Sequence, residues 1–340
     1  MATVPVSSQA AALHRDAVVI DMCSFYFHGY SPVIAAGGVT ALNLTVPEAL
    51  ADYEGAIAAV ERHHELIAAD PARLVHVRRA DDIPAAKAAG KVGLIFGFQN
   101  SKPIGDRLDR IQTLWERGVR LIQLTYNEPG VFGDGCLVEV DRGLTPLGRQ
   151  AIREMQQTGI VVDLSHVGPK TALQAVEAAE RPVVVSHANP RATAENPRNV
   201  SDELIRAVAA TGGAVGVCGW GPICWRGGPE PPGVPDLVVH IDYLVNLVGI
   251  DHVGIGTDSS ASGTGTVAQH VAEVNALYPS VVGAFVERFG NGLEHRYAVS
   301  TDKLPHMTEA LLQRGYPADG IKKILGGNFL RVFKEVWRDV

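Results

Sequence analysis

The sequence predicts a single TIM-type (β/α)8 barrel, an α/β fold in which eight parallel strands alternate with helices. Short runs of β-branched and other apolar residues alternate with longer stretches whose apolar residues recur every three or four positions. The apolar runs are nearly continuous, as expected for a parallel sheet that is covered on both faces. A closed barrel is favoured over a doubly wound open sheet, because no GxGxxG follows the first strand.

The predicted strands cover residues 17–23, 39–46, 92–98, 119–126, 160–166, 182–187, 214–220 and 252–258. A ninth short run, 74–79, is either a spare strand or a partner of one of these. Several of the intervening helical stretches begin with Thr, Ser or Asp and end with Gly, which are residues that cap helices. The Gly- and Pro-rich stretch 219–236 is interpreted as a long loop at the active face.

The chain is interpreted as one barrel domain over residues 1–340, since 340 residues with 46% hydrophobic content can bury a large core. Within it, residues 1–15 are predicted to be an N-terminal extension. Residues 300–340 are predicted to form helices that pack on the barrel. No internal repeat or low-complexity segment divides the chain.

Composition excludes several classes of protein. The formal net charge is -7 and no Lys/Arg-rich run occurs, so nucleic acid is not an expected partner. No run of 18 or more apolar residues indicates a membrane span, and the first residues lack the features of a signal peptide. The four cysteines form no CxxC pair, so we expect a cytoplasmic protein without disulfides.

Polar side chains occur where six of the predicted strands end. They are Asp21 and Cys23, Gln99 and Asn100, Tyr126 and Asn127, His166, His187, and Asp258. In a barrel, reactive side chains lie at the carboxyl ends of the strands. We therefore expect these side chains to converge on one mouth.

His166 and His187 form the strongest pair, because they end neighbouring strands. Neutral imidazoles bind Zn²⁺ at about 2.0–2.1 Å. Asp258, across the mouth, is suited to moving a proton to or from a metal-bound water. The alternative is that each histidine only ends its strand and bonds to the backbone.

Longer motifs resemble the membrane (renal-type) dipeptidase family of zinc peptidases. They are AGGVTALNLTV, ERGVRLIQLTYN, GLTPLGRQAIREMQQTGIVVDLSHVG, RPVVVSHANPRATAENPRNVSDELIRAVAATGG, VGIGTDSS and ILGGNFLRVFKEV. The resemblance covers nearly the whole chain. It implies a TIM-type barrel with a zinc site at its mouth, and hydrolysis of a dipeptide or a similar small amide.

Four positions agree with the residues that the family uses. The two histidines of the second zinc match His166 and His187, and the arginine that holds the substrate carboxylate matches Arg198. The acid that acts on the attacking water or the leaving amine matches Asp258.

The other positions depart from the family pattern. The H-x-D pair of the first zinc becomes Cys23 and Phe25, and the bridging carboxylate becomes Gln99, or Phe98 if the register shifts by one. The substrate-contacting histidine becomes Tyr126. Phe cannot bind a metal, Gln is a neutral and poor bridge, and Cys could bind as thiolate at about 2.3 Å.

Because two neighbouring metal ions need anionic ligands, we infer that the two-zinc centre is not intact. One interpretation is a single ion on His166 and His187, with Asp258, Cys23 or Gln99 and water as the other ligands. The other interpretation is that all metal has been lost.

Three functions follow from these readings. The first is a one-metal hydrolase of a small amide, whose substrate carries a carboxylate and contacts Arg198, Tyr126, Asn127 and Gln99. The second is a lyase, isomerase or biosynthetic catalyst without metal, with His166, His187 and Asp258 as acid and base groups and Cys23 as a nucleophile. The third is a binding protein that has lost catalysis. The resemblance also implies a homodimer.

Overall fold

The computed structural model describes residues 5–262, 268–297 and 299–338, and only the backbone of residues 268–270. The strands pair in parallel in the order β10–β1–β2–β4–β5–β6–β7–β8–β9. They are β1 (Ile20–Phe25), β2 (Ala41–Thr45), β3 (Leu74–His76), β4 (Val92–Phe98), β5 (Val119–Gln123), β6 (Val161–Asp163), β7 (Val184–Val185), β8 (Ala214–Val217), β9 (Val253–Ile255) and β10 (Ser259–Ser260).

The two ends of the sheet meet through β10. It follows β9 after residues 256–258 and pairs with β1, with Ser24 opposite Ser259. β9 and β10 together are therefore the eighth strand of a closed barrel, which confirms the predicted fold class. The ninth predicted run contains β3, which pairs with the first half of β4, from Val92 to Leu94.

Helices lie before β1, in connections between the strands and after β10. They are α1 (Ser8–Asp16), α2 (Pro32–Gly37), α3 (Tyr53–Ala69), α4 (Asp82–Ala88), α5 (Asp109–Glu116), α6 (Pro146–Thr158), α7 (Pro169–Ala178), α8 (Asp202–Ala210), α9 (Gly221–Cys224), α10 (Val234–Val248), α11 (Ala268–Leu277), α12 (Pro279–Phe289), α13 (Leu293–Arg296), α14 (Leu304–Gln313), α15 (Ala318–Lys322) and α16 (Asn328–Val336). None of the helices in the described ranges is long and apolar enough to cross a bilayer.

The terminal segments pack on the barrel. Most of the predicted N-terminal extension belongs to α1, where His14 Nδ1 lies 2.7 Å from Thr308 Oγ1 of α14. Residues 1–4 of that extension lie outside the described residues. The predicted loop 219–236 contains the short helix α9 and the first turn of α10.

Helix α16 closes the barrel at the end opposite the mouth. Its residues Phe329, Val332, Phe333 and Val336 recur at three- and four-residue steps, so they share one face. That face is buried against apolar side chains from the strands, which include Met22, Ile95, Leu121, Val161 and Val184. The hydrophobic contact of α16 with the strands therefore completes the barrel core.

We expect Phe333→Ala to lower the free energy of unfolding by about 3–5 kcal/mol, because it leaves a cavity in this packed core. Phe333 is fully buried and stacks on Trp337, with ring centroids 4.1 Å apart. Urea denaturation measures the loss. The control Glu335→Ala, at an exposed position of the same helix, should change stability by at most about 0.5 kcal/mol. Equal effects of the two substitutions would contradict the role of α16.

Candidate active site

The residues predicted at the mouth follow strand ends, and several have strained backbones. Among the described residues other than glycine, φ is positive at Tyr26 (48°), Asn127 (62°), His166 (65°) and Asp258 (54°). Such conformations cost about 1–3 kcal/mol each and persist where the surrounding structure enforces them. Three of the four are predicted site residues.

These positive-φ residues lie beyond the observed strand ends, which come earlier than predicted. The prediction carried three strands on to residues 126, 166 and 258, but β5, β6 and β9 end at Gln123, Asp163 and Ile255. A residue with φ near +60° cannot continue an extended strand. The chain therefore leaves the sheet before each functional side chain.

His166 and His187 face each other at the centre of the mouth. Their Nε2 atoms are 3.0 Å apart, and both side chains are buried. Burial, and after it the nearby Arg198 guanidinium, holds the pKa of both imidazoles well below the usual value. Both rings are therefore neutral.

The partners of the Nδ1 atoms determine which nitrogen of each ring carries the proton. His166 Nδ1 lies 2.8 Å from Asn127 Oδ1, and His187 Nδ1 lies 2.7 Å from Ser186 Oγ. Ser186 Oγ donates its own proton to Asp163 Oδ2 at 2.5 Å, so it accepts from His187. Because both partners accept, both rings are protonated at Nδ1, and their two Nε2 lone pairs point at each other.

Asp163 supports this arrangement, and sequence reasoning did not select it. Its buried carboxylate also accepts the backbone N–H groups of Ser165 (3.0 Å) and Ser186 (2.9 Å). It thus joins β6 to β7 and orients the side chain next to His187. The signal was present in the sequence, since Asp163 is the acid of the DLSH motif.

Cys23 and Asp258 form the opposite side of the centre. Cys23 Sγ donates to Asp258 Oδ1 at 3.3 Å, and the ligand atoms of Cys23, His187 and Asp258 lie within 4.8 Å of one another. Burial, and after it the Asp258 carboxylate, raises the pKa of the Cys23 thiol well above its usual value. The thiol of Cys23 therefore carries its proton.

Gln99 also reaches this side of the centre. Its Nε2 donates to Cys23 Sγ at 3.0 Å and to Thr45 Oγ1 at 2.9 Å. Asn100 at the same tip instead accepts the backbone N–H of Lys102. Gln99 is thus placed at the centre as a neutral hydrogen-bond donor.

Aromatic rings surround the polar groups. Tyr126 stacks on His166 with ring centroids 4.2 Å apart, and Phe25 packs edge-on against Tyr26 (5.3 Å) and Tyr297 (6.2 Å). Sequence reasoning missed Tyr297, because it comes from the helical region after β10 and belongs to no strand end. Phe25 brings an apolar ring to the first-strand tip.

Arg198 holds one free donor beside the histidines. It is almost fully buried, and its Nη2 donates to the His187 carbonyl at 2.8 Å. Its Nη1 is buried and has no hydrogen-bond partner among the residues that the structure describes. An unsatisfied guanidinium N–H in a buried position is suited to a carboxylate of a bound molecule.

The donor set at the centre fits a metal ion. Two nitrogens that bind one zinc ion at about 2.1 Å in tetrahedral geometry lie roughly 3.4 Å apart, close to the separation seen here. The lone pairs of His166 and His187 already converge, and the thiol of Cys23 and the carboxylate of Asp258 lie next to His187. Neutral imidazole is the form of histidine that binds metals.

Comparisons with known proteins found similar sequences and similar structures. A family model described as membrane dipeptidase (peptidase family M19) matches residues 38–296. The chain is 28% identical over 266 residues to dipeptidase tcpJ of Claviceps purpurea, covering 78% of this chain and 56% of that protein. It is 29% identical over 214 residues to an uncharacterized dipeptidase of Schizosaccharomyces pombe, covering 62% of this chain and 51% of that protein. The chain spans about half the length of these curated relatives.

Solved structures show the same fold. An amidohydrolase from Pseudomonas aeruginosa is 31% identical, with a TM-score of 0.84, and the match covers 96% of this chain and 99% of that one. The probable dipeptidase PvdM from Pseudomonas aeruginosa is 21% identical, with a TM-score of 0.78, and the match covers 96% of this chain and 97% of that one. The second likeness bears on the fold alone.

We expect Ser186→Ala to lower the free energy of unfolding by about 1–3 kcal/mol, because it leaves two buried groups unsatisfied. His187 Nδ1 loses its acceptor, and Asp163 Oδ2 loses its hydroxyl donor. Urea denaturation checks this, with Ser280→Ala at an exposed helical position as the matched control. A Ser186 variant as stable as the control would show that this hydrogen-bond chain is not needed for the fold.

Proposed function

The chain belongs to the membrane dipeptidase family, and on that premise we propose that it is a hydrolase of a dipeptide or a similar small amide that uses one metal ion, zinc. The observation that carries the proposal is the pair of Nε2 lone pairs, from His166 and His187, that face each other at 3.0 Å. Two lone pairs at that distance repel unless both bind the same cation. Protonation cannot supply the cation at neutral pH, because both imidazoles resist it.

His166 and His187 would hold the ion, with Asp258 and Cys23 as further ligand candidates. When bound, zinc supplies Lewis-acid polarisation and lowers the pKa of a coordinated water. A second ion is disfavoured by charge. Two dications about 4 Å apart repel by roughly 16 kcal/mol at an effective dielectric constant of about 20. Phe25 and Gln99 offer no anion to offset that repulsion.

Arg198 and Asp258 have separate roles in the proposed reaction. Arg198 Nη1, the unpartnered donor, binds the carboxylate of the substrate and so fixes which end of the molecule enters first. Asp258 would accept a proton from the attacking water at Oδ1, the atom that now accepts from Cys23, and would deliver it to the leaving amine. Tyr126, stacked on His166, covers the pair on one side and limits the access of water.

The alternative reaction without metal has weaker support. It needs Cys23 as a thiolate or the histidines as acids, whereas burial keeps Cys23 protonated and both imidazoles neutral. The metal-dependent reaction therefore explains more of the geometry.

We expect protein prepared with zinc to hold one ion per chain and to lose both ion and dipeptide hydrolysis after dialysis against a chelator. Elemental analysis and a dipeptide panel measure the two quantities. His166→Ala and His187→Ala should bind little zinc, because each removes one of the two converging lone pairs. Two ions per chain would contradict the one-metal site. Full turnover after the zinc has been removed, or in a variant that carries both histidine substitutions, would favour the metal-free alternative.

We expect Arg198→Met to raise KM about 10- to 100-fold for dipeptides with a free carboxylate, since one charge-assisted hydrogen bond contributes about 1.5–3 kcal/mol. Steady-state kinetics on each dipeptide and its C-terminal amide give the comparison. The amide should be a poor substrate for the unchanged protein and lose little further in the variant. An equal loss on both forms would mean that Arg198 acts only by supporting His187.

A further inference from the structure

A second polar pocket lies on the outside of the barrel, far from the mouth. It has a volume of about 430 Å³, and its lining includes His76, Arg78, Arg79, Asp82 and Lys91. We call it the outer basic pocket. Lys91 precedes β4 and Gln99 follows it, so the pocket and the centre are separated by about 26 Å along this strand. Nothing in the proposed hydrolysis uses these residues.

The charges that line this pocket do not balance. Its one lining carboxylate, Asp82, accepts the backbone N–H groups of Arg78 (2.9 Å) and Arg79 (2.8 Å) and pairs with the Arg79 side chain at 3.3 Å. The neighbouring Asp81 pairs with Lys334. Arg78 and Lys91 have no ion pair with a carboxylate of the described residues, so the pocket carries excess positive charge in a chain of net charge -7.

A fully buried arginine lies directly behind Arg78. Arg120 is 0% exposed, and its Nε donates to the Arg78 carbonyl at 2.7 Å. Its Nη1 donates to the carbonyls of Trp115 (2.8 Å) and Val119 (2.9 Å). All of these hydrogen-bond partners are neutral carbonyls. Among the described groups, the buried charge of Arg120 is eased only by the Trp115 ring, whose centroid is 5.0 Å from the guanidinium carbon, and by Asp82, which already pairs with Arg79.

Several nitrogen atoms of this region are buried and have no hydrogen-bond partner within the described parts of the chain. They are Nη2 of Arg120, Nε of Arg78 and Nε2 of His76. Most buried polar groups in proteins are satisfied, and an uncompensated buried charge is strongly destabilising. Three unsatisfied nitrogens beside one pocket therefore indicate that a ligand is missing, and the charges indicate that it is an anion.

The titration of neighbouring groups agrees with a positive potential. The pKa of His76 is lowered to about 3, first by burial and then by the nearby His64, Arg78 and Arg120. Burial and Arg78 lower the pKa of Arg120 to about 10. A bound anion would move both values back towards their usual range.

We propose that the outer basic pocket binds a phosphate-type oxyanion, either free inorganic phosphate or the phosphate group of a small phosphomonoester. Arg78 and Lys91 approach the pocket from different parts of the chain, and Arg120 backs it. A tetrahedral dianion can accept from donors in several directions, whereas a planar carboxylate fits one arginine face to face. The pocket is large enough for a phosphate with a small organic group attached.

Isothermal titration calorimetry of the full chain with inorganic phosphate, phenyl phosphate and acetate tests the proposal. We expect saturable binding of one phosphate per chain and much weaker binding of acetate. Tighter binding of phenyl phosphate than of phosphate would identify a phosphomonoester site, and the reverse order a free-phosphate site. Phosphate should also raise the thermal midpoint, because it binds only the folded chain.

Arg78→Gln should weaken phosphate binding at least 10-fold, and Arg153→Gln, at an exposed position on α6, should leave it unchanged. If the Arg78 variant does not fold, Lys91→Gln provides the same comparison. Absence of saturable binding to the unchanged protein, or equal binding by the variants and the control, would overturn the proposal. These measurements use no dipeptide and no zinc, so their outcome is independent of the proposed hydrolysis.

Discussion

Two buried aspartates that join neighbouring strands hold the mouth of this barrel in place. Asp163 of β6 accepts the N–H of Ser165, two residues on, and both the N–H and the hydroxyl of Ser186 after β7. Asp21 of β1 repeats the pattern with the N–H of Cys23 and both donors of Thr257 after β9. In each case the bridged residue immediately precedes a side chain of the candidate site.

These bridges explain how the strained backbone at the mouth persists. His187 follows Ser186, and Asp258 follows Thr257. Each bridging carboxylate therefore holds the backbone one residue before a side chain of the candidate site. Asp258 has φ of 54°, a conformation that an unsupported loop would lose. Thr301 also donates to Asp21, at 2.8 Å, which ties the segment before α14 to the same carboxylate. The bridge through Asp21 also helps to close the barrel.

The sequence was sufficient to predict the eight strands, because each strand is a local apolar run. It was also sufficient to predict that their tips converge, because the carboxyl ends of parallel strands lie at the same end of a barrel. It placed His166, His187, Cys23, Gln99 and Asp258 correctly at one end. It did not predict where the strands end, because positive φ at an Asn, His or Asp leaves no local signal. Contacts across long sequence separations were also missed, such as Tyr297 on Phe25 and α16 against the strands.

The departures from the family pattern change the physical character of the first-strand tip. Phe25 packs on Tyr26 and Tyr297, and Cys23 is a protonated thiol, so this tip contributes apolar surface and one weak donor instead of negative charge. Apolar surroundings exclude water and lower the effective dielectric constant, which strengthens the remaining electrostatic interactions. One donor to which this applies is Nη1 of Arg198, which is buried and has no hydrogen-bond partner among the described residues. In the proposed reaction, orientation of the substrate by its carboxylate would therefore depend on this one arginine, and less on the charge of the first-strand tip.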